Sequence, residues 1–549
     1  MDKTDYIMIA LFVALLLFVA VKNRINERKN NIKRLAESFG RPFCNEEWHT
    51  NVNHVEVINR DLAADYDIND EIWHDLDMSQ VYNMIDQSVS AIGEEYLYSS
   101  LRTLSDKETL DKRCRLADEF EKTGVSQYRV ILSNIRKQYH FTVRGFINKL
   151  SNLKKEFIAV HVLLCLMFFG SIVYTFFNPF VGITLVIATG LINCITYVFS
   201  KSKSQNYNYS ISVIVKWLTA VNNLPKTKDG ELINERVERM HKLAASFNKI
   251  KRVSWLFAPQ NAVASFINVI LDYVKFLTHI DIIEFYFLVK FLNKNIDGLF
   301  ELYKETGEFE LGIIINGIRK YETVNCIPEF VTGTRPSLSA TGMVHPLIED
   351  AVPNDLEITN NALITGSNAS GKSSFLKMVT INCLLAETLK LAFSESYKGS
   401  YMGICTSFDI SDSIAKGDSF YIAEIKRIKE MLSKADAGEC MLIGIDEILK
   451  GTNTMERIAA SAAILKHFAG TKSMVIAATH DVELTEILDK EYDNFYFTEN
   501  PNDTESLFDY KLRRGRNYNG NAIKLLEIFE YPHDIVKMSR EIVLEEKGK

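Results

Sequence analysis

Residues 362–377 read ALITGSNASGKSSFLK, and the fold of the carboxy-terminal region turns on them. A short apolar strand, Ala362 to Ile364, runs into Gly366, Ser367, Asn368, Ala369, Ser370, Gly371, Lys372 and Ser373, and a helical pattern follows. This is G-x-x-x-x-G-K-S in a strand–loop–helix setting, where glycines let backbone N–H groups close around phosphate and the helix start favours negative charge. Lys372 is placed to reach the β- and γ-phosphates of ATP, and the Ser373 hydroxyl to ligate Mg²⁺. The loop from Gly366 to Ser374 is therefore read as the nucleotide-binding segment. The competing reading is a chance match in an ordinary loop.

Two downstream strands point the same way. Met441 to Ile445 is apolar and ends in Asp446-Glu447. Asp446 suits the metal, directly or through water, and Glu447 is placed to polarise an attacking water. Met474 to Ala478 ends in Thr479-His480-Asp481. His480 is a candidate γ-phosphate sensor, with a capping or core histidine as the plainer alternative. Polar residues at the carboxyl ends of several apolar strands are how an open α/β sheet builds a ligand site. Magnesium-dependent ATP hydrolysis is the expected activity.

The chain around this site has 549 residues, room for roughly three or four domains. Its ten prolines leave long gaps, Phe43 to Asn178, Gln260 to Ile327 and Asn354 to Asn500. Such spans favour helices, because proline removes a backbone donor and clashes with the preceding turn. A formal charge of −7 excludes a generally polybasic nucleic-acid binder, so any such contact must be local. The eight cysteines form no C-x-x-C pair, which argues against a zinc site or disulfide framework and fits a reducing compartment.

Three uncharged apolar runs stand apart: Tyr6 to Val21, Phe157 to Phe177 and Phe180 to Phe199. A spanning helix needs about 20 such residues, and Asn178-Pro179 between the last two is a turn signal, which predicts a transmembrane hairpin over 157–199. Lys149, Lys154 and Lys155 precede it, Lys201 and Lys203 follow it, and Lys22, Arg24, Arg28 and Lys29 follow the first run. The positive-inside rule then places 22–156 and 200–549 in the cytoplasm, with the protein in the cell (inner) membrane. A cleaved signal peptide for the first run and a buried core pair for the hairpin are the alternatives; His161, near one hairpin end, is read as interfacial.

Taken together, these residues resemble the MutS family of ATPases. TGSNASGKS (365–373) is similar to the family's Walker A. SDSIAKGDSFYIAEIKRIKEML (411–432) is similar to its signature region, with Ser419, Phe420 and Glu424 in S-F-x-x-x-E. IDEILKGTNT (445–454) resembles Walker B with the D-loop, and ATHDVEL (478–484) the switch-histidine motif. His345-Pro346 and Val352-Pro353-Asn354-Asp355 look like elements preceding the loop, and YKLRRGRNYNGNAIKLLE (510–527) like the tail leading to dimerising helices. Weaker matches at 75–102 and 301–330 resemble the helical core and the lever end. The resemblance implies an α/β P-loop ATPase domain over 336–549. Ahead of it come an anchor (1–21), a cytoplasmic helical domain (22–156), the hairpin (157–199) and a helical lever region (200–335).

It further implies a homodimer with composite sites, in which Ser419 reaches the partner's nucleotide; the plainer reading of Ser419 is a helix cap. Ile523, Leu525, Leu526, Ile528 and Phe529 supply a candidate clasp. Repair-type members begin with a mismatch-reading domain that wedges a Phe beside a Glu into the duplex. Here a membrane anchor is expected in that place, so DNA contact without mismatch recognition is expected. The candidate patch is Arg236, Arg239, Lys242, Lys249, Lys251 and Arg252, or else a solvated or headgroup-facing helix surface. A membrane switch driven by ATP and acting on a protein or lipid without DNA is the alternative function.

Overall fold

A computed structural model describes residues 66–135, 142–150, 158–253, 273–367, 370–408, 420–498, 508–516 and 531–547, with isolated positions at 18–40, 58 and 526. The expected first span, Ser419 and most of the clasp lie outside the described residues. The chain forms two compact units that are interleaved in sequence. The first comprises 1–63, 86–99 and 115–318; the second comprises 64–85, 100–114 and 319–549.

Among its described residues the first unit is helical. Ile158–Thr175 (α1) and Pro179–Asn222 (α2) are antiparallel neighbours, and among the described residues they are the two helices long and apolar enough, by length and composition, to cross a membrane. Asn178 caps α2 by accepting from the Val181 N–H at 3.3 Å, and Pro179 takes the first helical position, where its missing donor costs nothing. Ser171 and Thr189 hydroxyls meet at 3.2 Å across the pair. Most of its side chains face outward, Phe177 and Phe180 at the turn being 81% and 85% exposed.

The helix α2 does not stop where its apolar run does. Its second half buries Ile211, Ile214, Trp217, Leu218 and Val221 in the core of the unit. There the Trp217 indole donates to Thr306 Oγ1 at 3.0 Å on Ile296–Tyr321 (α3). Gly307 on α3 is required by close approach, since a Cβ would sit 2.2 Å from the Tyr96 ring. Phe309 stacks edge-on against Phe120 and Tyr128, at 5.1 and 5.4 Å between ring centres.

Three helix starts in this unit are capped by carboxylates from other helices, which offset the positive end of the helix dipole. Glu310 accepts from the N–H groups of Val89 (2.7 Å) and Ser90 (3.0 Å), Glu95 from Val143 (2.6 Å) and Arg144 (3.0 Å), and Glu119 from Leu232 (3.1 Å) and Ile233 (2.9 Å). Burial nevertheless pushes Glu95 up to about 8. In the basic patch, Arg236 pairs with Glu305 at 2.9 Å, and Arg239 with Glu301 at 2.6 Å and Glu305 at 3.2 Å. Two of its six charges are thus already matched within the protein.

The second unit holds two sheets. The strands are Glu329–Val331 (β1), Leu338–Met343 (β2), Asn354–Ile358 (β3), Asn361–Thr365 (β4), Ser396–Ser400 (β5), Gly403–Ser407 (β6), Met441–Asp446 (β7), Met474–Thr479 (β8), Tyr492–Tyr496 (β9) and Arg513–Arg514 (β10). The smaller sheet runs β1-β5-β2-β3 and the larger β10-β9-β4-β8-β7-β6, parallel throughout except at β10. Strands β4 and β8 are buried along their whole length, as central parallel strands require. Lys372–Leu389 (α4), Phe420–Asp436 (α5) and Thr454–Ala469 (α6) accompany this sheet. The amino-terminal stretch 64–85 belongs here through Asp75, which is 1% exposed. Its carboxylate accepts from Thr406 Oγ1 (2.7 Å) and the Phe408 N–H (3.1 Å), and pairs with Arg427 at 3.1 Å.

Candidate functional site

The register of the large sheet levels three strand ends. Thr365 pairs with Thr479 across β4 and β8, and Asp446 pairs with Ala478 across β7 and β8. The loops that leave these ends therefore start side by side, as expected of ligand sites in open parallel sheets.

The loop after β4 turns into α4 at Gly371, whose φ of +101° belongs to glycine and where a Cβ would meet the Tyr510 ring at 3.0 Å. Asn368 and Ala369 lie outside the described residues. Lys372 is buried and donates from Nζ to the carbonyls of Gly366 (2.9 Å) and Ser367 (2.8 Å), so its ammonium sits inside its own loop. Burial lowers it to about 8, against the opposing pull of Asp446 and Glu447. Ser373 Oγ donates to Asp446 Oδ2 at 2.5 Å, which brings the two expected metal ligands together. Two hard oxygen donors at one point are the donor chemistry Mg²⁺ takes.

Glu447 and Leu449 both have φ of +58°, so the chain bends sharply after β7. Two anchors hold the bend. The Glu447 N–H donates to the Ala478 carbonyl at 2.9 Å, and the Leu449 N–H to Glu424 Oε1 at 2.5 Å. Glu424, on α5, is 1% exposed, and burial raises it. The bend presents the Glu447 carboxylate to His480, Oε1 to Nε2, at 2.7 Å, with Lys450 at 3.7 Å. The bond from His480 holds Glu447 down at about 2, overcoming a smaller upward push from burial. Glu447 is thus an ionised acceptor with a histidine fixed to it.

Beside the loop lies a cavity of about 350 Å³, lined among others by His345, Val352, Gly371, Ser374, Phe497 and Tyr510. Asn354 closes it by donating to the Tyr510 carbonyl at 3.0 Å and accepting from the Leu512 N–H at 2.7 Å. Burial lowers His345 to about 4, so it lines the wall as a neutral ring. The structure thus gathers the 345–346, 352–355 and 510 elements around one hollow next to the phosphate loop. An apolar hollow with few polar groups is the shape of a small-ligand site. Phe497, one residue past β9, carries no sequence signal for this role. The clamping role of Glu424 was equally unreadable, since its partner is a backbone N–H. Ser419 lies outside the described residues.

Comparison with known proteins falls on this same region. A DNA mismatch repair protein MutS from Aquifex pyrophilus is 32% identical over 221 residues, covering 37% of this chain and 25% of that protein. The MutS of Chlamydia abortus is 24% identical over 234 residues (40% and 28%), and that of Thermus thermophilus 26% over 204 residues (36% and 25%). The chain spans about a quarter of the length of the curated relatives it matches. Residues 362–546, which hold the phosphate loop, Asp446, Glu447 and His480, match the family model MutS domain V.

Proposed function

We propose that the second unit binds and hydrolyses ATP. The observation that carries this reading is the convergence, on the ends of β4, β7 and β8, of Lys372, the Ser373–Asp446 pair and the Glu447–His480 pair. Gly366 to Ser374 would hold the phosphates, with the base in the adjoining cavity. Ser373 and Asp446 would hold Mg²⁺, which neutralises phosphate charge when bound. Lys372 leaves its own carbonyls for the phosphate oxygens. Glu447 accepts a hydrogen bond from the attacking water and aligns it, while His480 holds the carboxylate in place and senses the γ-phosphate. Lys372→Ala should lose nucleotide binding. Glu447→Gln should keep binding and lose turnover by about 10²-fold, the scale of a lost general base; undiminished turnover in that variant would remove Glu447 from the mechanism.

Three wider readings rest on this one. In the first, the hairpin anchors the protein in the inner membrane and the second unit lies in the cytoplasm, a reading supported by the length, composition and outward side chains of α1 and α2. The active form is a homodimer in which Ser419 completes the partner's site. The partner is DNA, supported by the mismatch-repair names of the relatives, with the membrane switch lacking DNA as the second reading, favoured by the two internally matched arginines of the basic patch. A competition between matched and mismatched duplex distinguishes them. Binding with a steep salt dependence and little mismatch preference is expected, and absence of duplex binding at low salt would leave the second reading.

A further inference from the structure

We infer that Arg457 is a positioning residue for the Glu447–His480 pair, acting through Asp481; the inference rests on the ATPase reading of the same site. Arg457 stands in the first turn of α6, the helix that begins where the loop after Glu447 ends. Asp481 directly follows His480. The two side chains meet as a fork, Nε to Oδ2 at 2.9 Å and Nη2 to Oδ1 at 2.7 Å, and they are 24% and 13% exposed. A two-bond guanidinium–carboxylate contact fixes orientation as well as distance. The Asp481 N–H also donates to Thr479 Oγ1 at 3.0 Å, so the residue is held from both sides of His480.

The consequence is a double brace. The loops after β7 and β8 start level in the sheet and are joined twice, by Glu447–His480 at 2.7 Å and by Arg457–Asp481. In the proposed mechanism the first joint aligns the attacking water. The second joins α6 to the loop after β8. A hydrogen bond to a water about to attack tolerates little displacement, since misplacement near 1 Å costs about 10²-fold. Holding Asp481 holds the backbone that carries the imidazole. The charges matter as well. Arg457 faces Asp481, with Glu447 and Glu483 within its electrostatic reach; Glu447 faces His480, Lys450 and Lys372. Loss of either partner leaves a lone charge beside the loop that carries His480.

The test measures steady-state ATP turnover and nucleotide affinity on the full chain in detergent. Arg457→Ala and Asp481→Asn are each expected to lower kcat by about 10- to 100-fold with KM for ATP changed less than threefold. Arg457→Lys should lose only part of kcat, because charge stays while the fork is lost. The exchange Arg457→Asp with Asp481→Arg should recover activity over either single change. Should Arg457→Ala fail to fold, Arg457→Lys and Asp481→Asn carry the same comparison. An inactive wild-type chain would fail the ATPase reading itself. An active wild type whose Arg457 and Asp481 variants keep kcat, or lose kcat and ATP affinity together without recovery in the exchanged pair, would overturn the positioning role.

Discussion

Asp75→Ala should destabilise the second unit although it lies far from residues 366–374 in sequence. The carboxylate is 1% exposed and holds three partners: Thr406 Oγ1, the Phe408 N–H and the Arg427 guanidinium, itself 12% exposed. Truncation leaves two donors without their acceptor and the Arg427 cation with only the more exposed Glu71, at 3.5 Å. Breaking a buried pair in this way costs about 3–5 kcal/mol. In a unit of this size each kcal/mol moves Tm by about 2–4 °C, so the expected loss is about 6–20 °C. Asp77→Ala is the internal control. Its carboxylate meets Lys377 at 2.5 Å, but the side chains are 41% and 23% exposed, and such a pair contributes about 0–1 kcal/mol. Thermal melts of the full chain give the two shifts, and hydrogen exchange at Gly403–Ser407 (β6) localises them. Equal shifts for the two variants, or unchanged protection along β6, would refute the assignment of Asp75 to the core of this unit.

Nucleotide affinity should fall as pH rises above about 8. Lys372 is charged in the empty site only below that value, bound phosphate keeps it charged, and binding must therefore take up a proton at higher pH. Calorimetry in buffers of different ionisation heat reads that uptake directly, and none at pH 9 would contradict the buried-lysine account. For the hairpin, a cysteine placed at position 178 should react with an impermeant reagent on intact cells and one at 228 should not; labelling at 228 would invert the topology.

The site was legible where function depends on short-range order. Gly371, Lys372 and Ser373 must be consecutive to wrap phosphate, and Asp446 and Glu447 must end a strand, so spacing alone brings them out. The helical hairpin was legible because Asn178-Pro179 separates two long uncharged runs. What stayed hidden was set by distant contacts. Asp75 finds Thr406 across 331 positions, and Glu424 clamps a backbone N–H that any residue at 449 would offer. Arg457 and Asp481 lie 24 apart on different elements, and each alone is an ordinary surface charge. Phe497 and Tyr510 become cavity walls only once β9 and β10 have paired.

The interleaving of the two units also sets a timetable for synthesis. The ribosome makes Ile72, Trp73 and Leu76, all nearly fully buried in the finished protein, before any strand of the sheets they join. Asp75 must wait for Thr406, 331 residues later. At about 5–20 residues per second that delay is roughly 15 to 70 s. Through that interval the nascent chain carries an apolar segment with no permanent home. Circular permutants that bring 64–114 next to 319–549 would shorten the wait to seconds, and they should raise the yield of folded protein when chaperones are scarce.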